Sequence, residues 1–181
     1  MKYTILFALT ALVLFFSCGE DTPPKTLVIS DRLPVIDGTI RADEYTLFED
    51  LGSVKLSLVR SENKLCAGLS GKTENWISVG VGSSRMDGAV IFIGYVRDGK
   101  TYFSEERGKG HGHTTVPEAE RITIQYAMKE ENEITSLEVE CDLSGLVSMD
   151  TKEIRFIIAT GEDDSFSSPH AYRRGLVVTL Q

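Results

Sequence analysis

The sequence has little positive charge, and this excludes one broad class of partner. Its 181 residues include 19 Lys and Arg against 27 Asp and Glu, for a formal net charge of −8 at pH 7. A chain of this sign repels the phosphates of nucleic acids and the headgroups of anionic lipids. We therefore expect no nucleic-acid partner, and we expect membrane contact only through a covalently attached lipid.

The sequence also lacks the local motifs of common hydrolases and of amphipathic helices. It contains no nucleophile elbow and no His-Glu-x-x-His pair. Apart from a single turn at 41–45, no segment combines helical spacing of apolar residues with helix caps. The carboxylates fall mainly on strand faces and in turns, where charge keeps a protein soluble. These absences favour a domain without catalytic activity of its own.

The longest apolar run is at the N-terminus. Lys2 precedes an almost wholly apolar stretch over residues 5–16, and Cys18 follows it. Such a stretch is too short to cross the ~30 Å core of a bilayer and has the length of a secretory signal. It resembles a bacterial lipoprotein signal, which implies that Cys18 is lipidated and becomes the new N-terminus. We expect a signal peptide over 1–18, a flexible tether over 19–26 and an extracytoplasmic domain anchored to a bacterial membrane. Plain secretion and an uncleaved anchor are the alternatives.

Two further cysteines follow Cys18, and the sequence leaves their pairing open. Cys66 and Cys141 each lie in an apolar, strand-like run. Outside the cytoplasm a disulfide between them would persist. A free cysteine in such a run is instead a small buried hydrophobe. The separation of the two Cα atoms decides between these alternatives, and the sequence does not supply it.

The dominant spacing of apolar residues has a period of two. Residues 54–58, 122–128 and 137–141 each alternate apolar and polar side chains, as half-buried strands do. Turn sequences such as Asp98-Gly99 separate these runs and favour hairpins. The runs predict about nine to eleven short strands. We therefore expect residues 27–181 to form one all-β domain, an antiparallel β-sandwich.

One turn between two predicted strands contains a methionine that needs an explanation. From Trp76 to Gly94, two apolar, β-branched runs are joined by Ser-Ser-Arg-Met-Asp-Gly. Met86 in this turn either covers apolar side chains or ligates a soft metal. A matching candidate is His170, which follows Pro169 just before the last predicted strand. Methionine and a neutral imidazole form a known axial pair for haem iron. A plug over the core and an ordinary loop histidine are the alternatives.

Other candidate ligands lie in a glycine-rich stretch. Residues 105–117 read EERGKGHGHTTVP, which we expect to form a mobile polar loop. His111 and His113 in this stretch offer imidazoles that suit zinc, copper or nickel. No third ligand is set by the spacing. An exposed loop, a contact to a bound ligand and a metal site therefore all remain open.

Several motifs, taken in order, resemble those of the DOMON family. The order begins with Ile36-Asp37-Gly38 and the acidic and aromatic pair Glu44-Tyr45. It continues with the block from Trp76 to Gly94 and ends with His170. The family is similar in fold to the carbohydrate-binding modules of family 9. The resemblance therefore implies a β-sandwich over nearly the whole domain.

In haem-binding DOMON members, a methionine of this block and a late histidine ligate one b-type haem. The resemblance implies that Met86 and His170 do so here, and that the domain exchanges single electrons with an unidentified redox partner protein. A related group uses methionine and lysine, but this chain has no lysine after Lys152. The further contacts that we expect are an apolar lining of Trp76, Phe92 and Phe166, with Arg85, Arg173 and Arg174 at the haem propionates. Solvated surface charge is the alternative for the three arginines.

Other DOMON members bind sugars or have no known ligand, which leaves a second function open. A non-haem carbohydrate-binding module needs no cofactor. It stacks aromatic rings on the sugar and binds the hydroxyls with carboxylates. Haem requires an apolar slot between its axial ligands, whereas a sugar requires an exposed aromatic platform. The candidate stacking residues are Trp76, Tyr95, Tyr102 and Tyr172.

Overall fold

Two sheets pack face to face in the computed structural model, which describes residues 25–148 and 150–181. A 3₁₀ turn at Glu118–Glu120 lies between the eighth and ninth strands. The strands are β1 (Thr26–Leu27), β2 (Leu47–Asp50), β3 (Val54–Arg60), β4 (Lys64–Gly71), β5 (Ile77–Val81), β6 (Val90–Arg97), β7 (Lys100–Lys109), β8 (Gly112–Thr115), β9 (Thr123–Glu131), β10 (Ile134–Asp142), β11 (Glu153–Gly161) and β12 (His170–Leu180).

The strand order confirms the predicted β-sandwich. The seven-stranded sheet has the order β1-β12-β11-β5-β6-β7-β8, and the five-stranded sheet has the order β2-β3-β4-β10-β9. β1 pairs with β12 in parallel, and the other neighbours pair antiparallel. The described residues form twelve strands, where the prediction was about nine to eleven. β1 has only two residues, too few for a visible alternation, and β8 lies in a stretch that the glycines marked as a loop.

The N-terminal predictions lie mostly outside the described residues. These include the targeting segment over 1–18, the lipidation of Cys18 and most of the tether. Thr26, the last residue of the predicted tether, belongs to β1 and pairs with Thr179. Among the described residues, no helix is long and apolar enough to cross a membrane.

The apolar side chains of 54–58 and 137–141 fill the space between the two sheets, whereas Ile124 and Tyr126 on the edge strand β9 are 49% and 44% exposed. Leu56, Leu58 and Leu137 face this core from the five-stranded sheet and are at most 1% exposed. Phe92 and Phe156 meet them from the seven-stranded sheet and are fully buried. Burial of one such side chain contributes about 1.5–3 kcal/mol to folding. The core is therefore the main stabilising element of the sandwich.

The motif Ile36-Asp37-Gly38 has a structural function. The amides of Asp37 and Gly38 donate hydrogen bonds of 3.1 and 2.8 Å to Oε2 of Glu138. The Tyr45 hydroxyl donates one of 2.5 Å to Oε1. Glu138 is fully buried on β10, so these donors replace the water that its carboxylate has lost. Burial, together with Glu138, raises the pKa of the Tyr45 hydroxyl, which therefore remains a donor.

Cys66 and Cys141 are both free and buried, so the disulfide alternative is wrong. The register explains this outcome. Cys66 lies opposite Glu140, and Cys141 lies opposite Leu65, one position along the same pair of strands. An offset of one residue turns the two side chains to opposite faces of the sheet. Cys141 faces the core, whereas Cys66 packs under the N-terminal segment.

We expect both thiols to be unreactive in the folded protein. Burial raises the pKa of the Cys66 thiol to about 12 and also raises that of Cys141, and thiolate is the reactive form. The measurement is a thiol titration at pH 8 of residues 19–181, prepared without reductant. We expect slow reaction when folded and two thiols after unfolding. Fast labelling of the folded protein, or no thiol after unfolding, would contradict this.

Residues 94–101, Gly-Tyr-Val-Arg-Asp-Gly-Lys-Thr, match the spacing of a phosphate-binding loop. A phosphate-binding loop needs a helix after its glycines, because the helix N-terminus holds the phosphate. Here Asp98 and Gly99 have φ angles of 52° and 68° and form the turn of the β6–β7 hairpin. Since a strand follows the turn, the match indicates a hairpin rather than a nucleotide site.

Candidate functional site

The outer face of the seven-stranded sheet carries a second apolar cluster. Because Phe92 points into the core, its neighbours Ile91 and Ile93 point to the outer face. Both are buried there, so other parts of the chain cover this face. The cluster consists of Trp76, Ala89, Ile91, Ile93 and Tyr95.

Two loops from opposite ends of the strands cover this cluster. The β5–β6 loop, residues 82–89, leaves the sheet at one end, and its Met86 packs on the cluster. The β11–β12 connection, residues 162–169, leaves the sheet at the other end, and its Phe166 packs on the same cluster. The two loops therefore approach each other over one face of the sheet.

A cleft of about 1340 Å³ lies between these loops. The β7–β8 hairpin and the start of β12 complete its walls. Met86 and His170 both line the cleft, so the fold brings together two candidate ligands that are distant in sequence. Common small-molecule sites have volumes of roughly 300–1,000 Å³. The cleft therefore has room for a large ligand.

The turn that carries Met86 is tightly held by the main chain. The Ala89 amide donates a 3.1 Å hydrogen bond to the Met86 carbonyl oxygen, which closes the turn. The Gly88 amide donates one of 3.2 Å to the carbonyl of Gly108 on β7. A Cβ atom at Gly108 would lie only 1.7 Å from the Met86 carbonyl oxygen. The turn therefore rests directly on β7, with Met86 half-buried in the cleft wall.

His170 is held by the connection that precedes it. It is the first residue of β12 and is exposed to the cleft. The amide of Glu162 donates a 3.2 Å hydrogen bond to the carbonyl of Pro169, which closes the connection at its base. Nε1 of Trp76 donates a 2.8 Å hydrogen bond to Oγ of Ser168 from below. The imidazole therefore projects from the start of β12, next to an anchored loop.

The cleft has a basic rim, although the protein is acidic overall. Arg85, Arg173 and Arg174 line it and are exposed. Their guanidinium groups make no hydrogen bond or ion pair with any other described residue. By contrast, Arg41 near the N-terminus pairs with Asp37 at 2.7 Å. Unpaired guanidinium groups around one cleft favour an anionic ligand, because Arg binds carboxylates in bidentate pairs.

The acidic groups of the cleft are already engaged. The carboxylate of Glu106 is buried and contacts Nδ1 of His113. Oδ1 of Asp87 accepts a 2.7 Å hydrogen bond from the amide of Gly110. The carboxylates of Asp87 and Glu106 are therefore each held by a partner within the site, whereas the guanidinium groups of the rim are not. All three histidines of the chain line this cleft, namely His111, His113 and His170.

The glycine-rich stretch was predicted to be a mobile loop, and this is wrong. β7 continues to Lys109, and β8 returns antiparallel from Gly112. Gly110 has a φ of 61°, which permits the tight turn between them. His111 lies exposed at this turn, and His113 is half-buried on β8. In the described part of the chain, no three His, Cys, Asp or Glu side chains are grouped to hold a metal ion.

Two of the predicted cofactor contacts lie elsewhere. Phe92 is fully buried in the core between the sheets, because the alternation of β6 turns it away from the cleft. Trp76 is only 5% exposed and lies beneath the β11–β12 connection, which it supports. Phe166 lines the cleft as expected. The other predicted contacts at the cleft are Met86, His170, Arg85, Arg173 and Arg174.

The candidate stacking residues do not form an open platform. Trp76 and Tyr95 are buried, and the Tyr172 hydroxyl donates to the carbonyl of Leu51. Tyr102 is 40% exposed, but its ring is stacked on that of Tyr95 with centroids 4.8 Å apart. Of these four side chains, Tyr102 alone is exposed, and Tyr172 is half-buried.

No protein-family model matches the chain, and no curated protein matches it. Solved structures do. The cytochrome domain of Myriococcum thermophilum cellobiose dehydrogenase matches with a TM-score of 0.56 and 11% identity, over 84% of this chain and 90% of that one. The cytochrome b domain of pyranose dehydrogenase from Coprinopsis cinerea matches with a TM-score of 0.53 and 10% identity, over 70% and 76%. A family 9 carbohydrate-binding module from Caldicellulosiruptor kristjanssonii, in complex with cellotriose, matches with a TM-score of 0.50 and 13% identity, over 87% and 94%.

These similarities establish the fold. The protein is a β-sandwich of the kind shared by b-type cytochrome domains and family 9 carbohydrate-binding modules. The fold implied by the resemblance to DOMON proteins is therefore confirmed. Identities of 10–13% carry no ligand from one chain to another. The side chains that line the cleft therefore decide which ligand fits.

Proposed function

We propose that this domain binds a b-type haem in the cleft, with Met86 and His170 as axial ligands, and that it transfers single electrons. The observation that carries the proposal is the presence of a thioether and an imidazole on two walls of one cleft. A haem iron with both axial positions filled exchanges one electron without an open site for substrate. The similarity in fold to two cytochrome domains supports the same function.

The side chains of the cleft fit this group. Met86 and Phe166 rest on a buried apolar cluster and offer apolar surface for a porphyrin. His170 is exposed, so a ligand in the cleft can reach its ring. Arg85 and Arg173 have free guanidinium groups to bind the two carboxylates of the porphyrin. A neutral sugar would leave these cations without partners.

The proposal includes a location outside the cytoplasm, with the domain tethered through a lipid on Cys18. The support is the N-terminal sequence, with Lys2 before the apolar run and Cys18 after it. There the domain has no substrate to convert and passes electrons to or from a redox partner protein. The formal net charge of −8 disfavours direct contact with anionic lipid.

A hemin titration tests this proposal. The protein is residues 19–181, which include every described residue, and the two signals are haem absorption and Trp76 fluorescence. Trp76 is the only tryptophan of the chain, and it lies under the cleft wall. We expect one equivalent of hemin to quench it, to give a sharp Soret band and, after dithionite, resolved α and β bands.

The alternative function gives a different result in the same experiment. A free-hemin spectrum and unquenched fluorescence would contradict the proposal. If cellotriose then shifted the Trp76 emission, the domain would be a carbohydrate-binding module. Protoporphyrin without iron is the control for axial ligation. We expect it to bind more weakly than hemin, because it keeps the carboxylates but cannot accept ligands.

A further inference from the structure

Trp76 lies at the boundary between the sheet and the β11–β12 connection. Its indole packs flat on the backbone of Gly161, where a Cβ atom would come within 2.0 Å of Nε1. The Gly161 amide donates a 2.8 Å hydrogen bond to the Trp76 carbonyl, and Nδ2 of Asn75 donates one of 3.3 Å to the Gly161 carbonyl. The position of the indole is therefore set by the sheet and not by the connection above it.

The buried indole uses its single donor on the connection. Nε1 donates a 2.8 Å hydrogen bond to Oγ of Ser168. A buried indole N–H needs such a partner, because leaving it unpaired carries the full cost of its lost hydration. The Ser168 amide in turn donates a 3.0 Å hydrogen bond to the carbonyl of Ser165. Ser168 is thus fixed by its side chain from below and by its amide within the connection.

Only one residue separates Ser168 from His170, and it is a proline. Pro169 has a fixed φ and restricts the residue before it. Its carbonyl also accepts the hydrogen bond from the Glu162 amide that closes the connection. A displacement of Ser168 is therefore transmitted to His170 rather than absorbed between them.

We infer that the hydrogen bond from Trp76 to Ser168 positions the His170 imidazole in the cleft. Trp76 and Ser168 are positioning residues, and neither is a ligand. The inference rests on the proposed function for the role of His170. It also explains why the aromatic residue of the Trp76 to Gly94 block is buried, although the sequence predicted it to line the cleft.

The test compares three variants of residues 19–181. Ser168→Ala removes the acceptor, Ser168→Thr keeps a hydroxyl, and Ser165→Ala removes a nearby hydroxyl that contacts only Ser167. We expect Ser168→Ala to weaken hemin binding about tenfold, because the His170 imidazole is then no longer held in place by an outer-shell contact. We also expect a partial loss of the low-spin spectrum, a shifted indole ¹H–¹⁵N signal and faster hydrogen exchange over 162–170. Ser168→Thr and Ser165→Ala should resemble the parent protein in each measurement.

Two results overturn the inference. One is a Ser168→Ala protein that binds hemin within twofold of the parent and keeps its low-spin spectrum. The other is an indole signal and an exchange pattern that Ser168→Ala leaves unchanged. If the parent protein binds no hemin, the proposed function fails by itself. The indole signal and the exchange rates of the ligand-free proteins then decide whether Trp76 holds the connection.

Discussion

We expect Met86→Leu to abolish the six-coordinate haem spectrum while leaving the fold intact. Leucine has nearly the same volume as methionine, so the substitution costs less than about 1.5 kcal/mol in packing. It removes the sulfur, however, and with it one axial ligand. Loss of an outer-shell partner of a metal ligand weakens metal binding about 10- to 100-fold. Loss of the ligand itself should weaken hemin binding at least about 100-fold, as measured by titration.

The chain provides a matched control for this substitution. Met128 is 9% exposed and faces the core between the sheets, away from the cleft. Met128→Leu makes the same chemical change and should leave the spectrum of the reduced protein unchanged. A Met86→Leu protein that kept the resolved α and β bands would show that the methionine only covers the apolar cluster. For the second ligand, His170→Ala is the test variant and His111→Ala is its control, because both imidazoles are exposed at the cleft.

We expect Gly108→Ala to have the second largest effect, although Gly108 has no side chain to offer a ligand. Its Cβ atom would lie 1.7 Å from the carbonyl oxygen of Met86 and 2.7 Å from the carbonyl carbon. Both contacts are with backbone, which cannot rotate away, so the Met86 turn or β7 has to shift. Forced overpacking of this kind destabilises a protein by about 1–3 kcal/mol. Urea unfolding measures this cost, and the hemin titration measures the accompanying loss of Met86 ligation.

Gly112→Ala is the control for Gly108→Ala. Gly112 lies in the same hairpin, but the nearest atom to its Cβ position is 4.0 Å away. This variant should unfold at the parent urea concentration and bind hemin normally. If the Gly108→Ala protein bound hemin with the spectrum of the parent protein, the contact between the Met86 turn and β7 would not be needed for Met86 to bind the iron.

The charge distribution separates the two functions that share this fold. The rim of the cleft holds free guanidinium groups at Arg85 and Arg173, whereas Arg174 lies opposite the core residue Ile158. The carboxylates of the cleft, Asp87 and Glu106, already have partners within the site. A carbohydrate site would need the reverse, with free acceptors for hydroxyls and open aromatic rings. The cleft therefore favours a ligand that carries carboxylates of its own.

The sequence by itself determined the architecture and the two candidate ligands. Period-two runs such as 54–58 and 137–141 place their apolar side chains on one face of a strand, and this suffices to predict a sandwich. Met86 was identifiable because a thioether in a polar turn needs a reason, and His170 because the resemblance to DOMON proteins ends on a late histidine. Both inferences use local composition and order along the chain, which need no knowledge of strand pairing.

The tertiary structure decided where each predicted side chain points. Phe92 and Ile91 are adjacent, but only the pairing of β6 shows that Phe92 faces the core. Cys66 and Cys141 lie on opposite faces because their register differs by one position. The pairing of strands that are distant in sequence decides which face each side chain takes, and a shift of one residue moves every side chain to the other face. A local pattern shows that successive side chains alternate between the two faces of a strand, but not which of them face the core.

The residues that hold the candidate ligands in position could not be predicted from the sequence. Gly108 and Gly161 look like ordinary strand glycines, and their function is visible only where Met86 and Trp76 pack on them. Ser168 becomes a partner of Trp76 only because β5 and β11 are neighbours in the sheet. These contacts join residues far apart in the chain, and their energy depends on distances that folding alone establishes. The sequence therefore determined which groups are available for binding, and the packing of two loops over one sheet decided which of them meet.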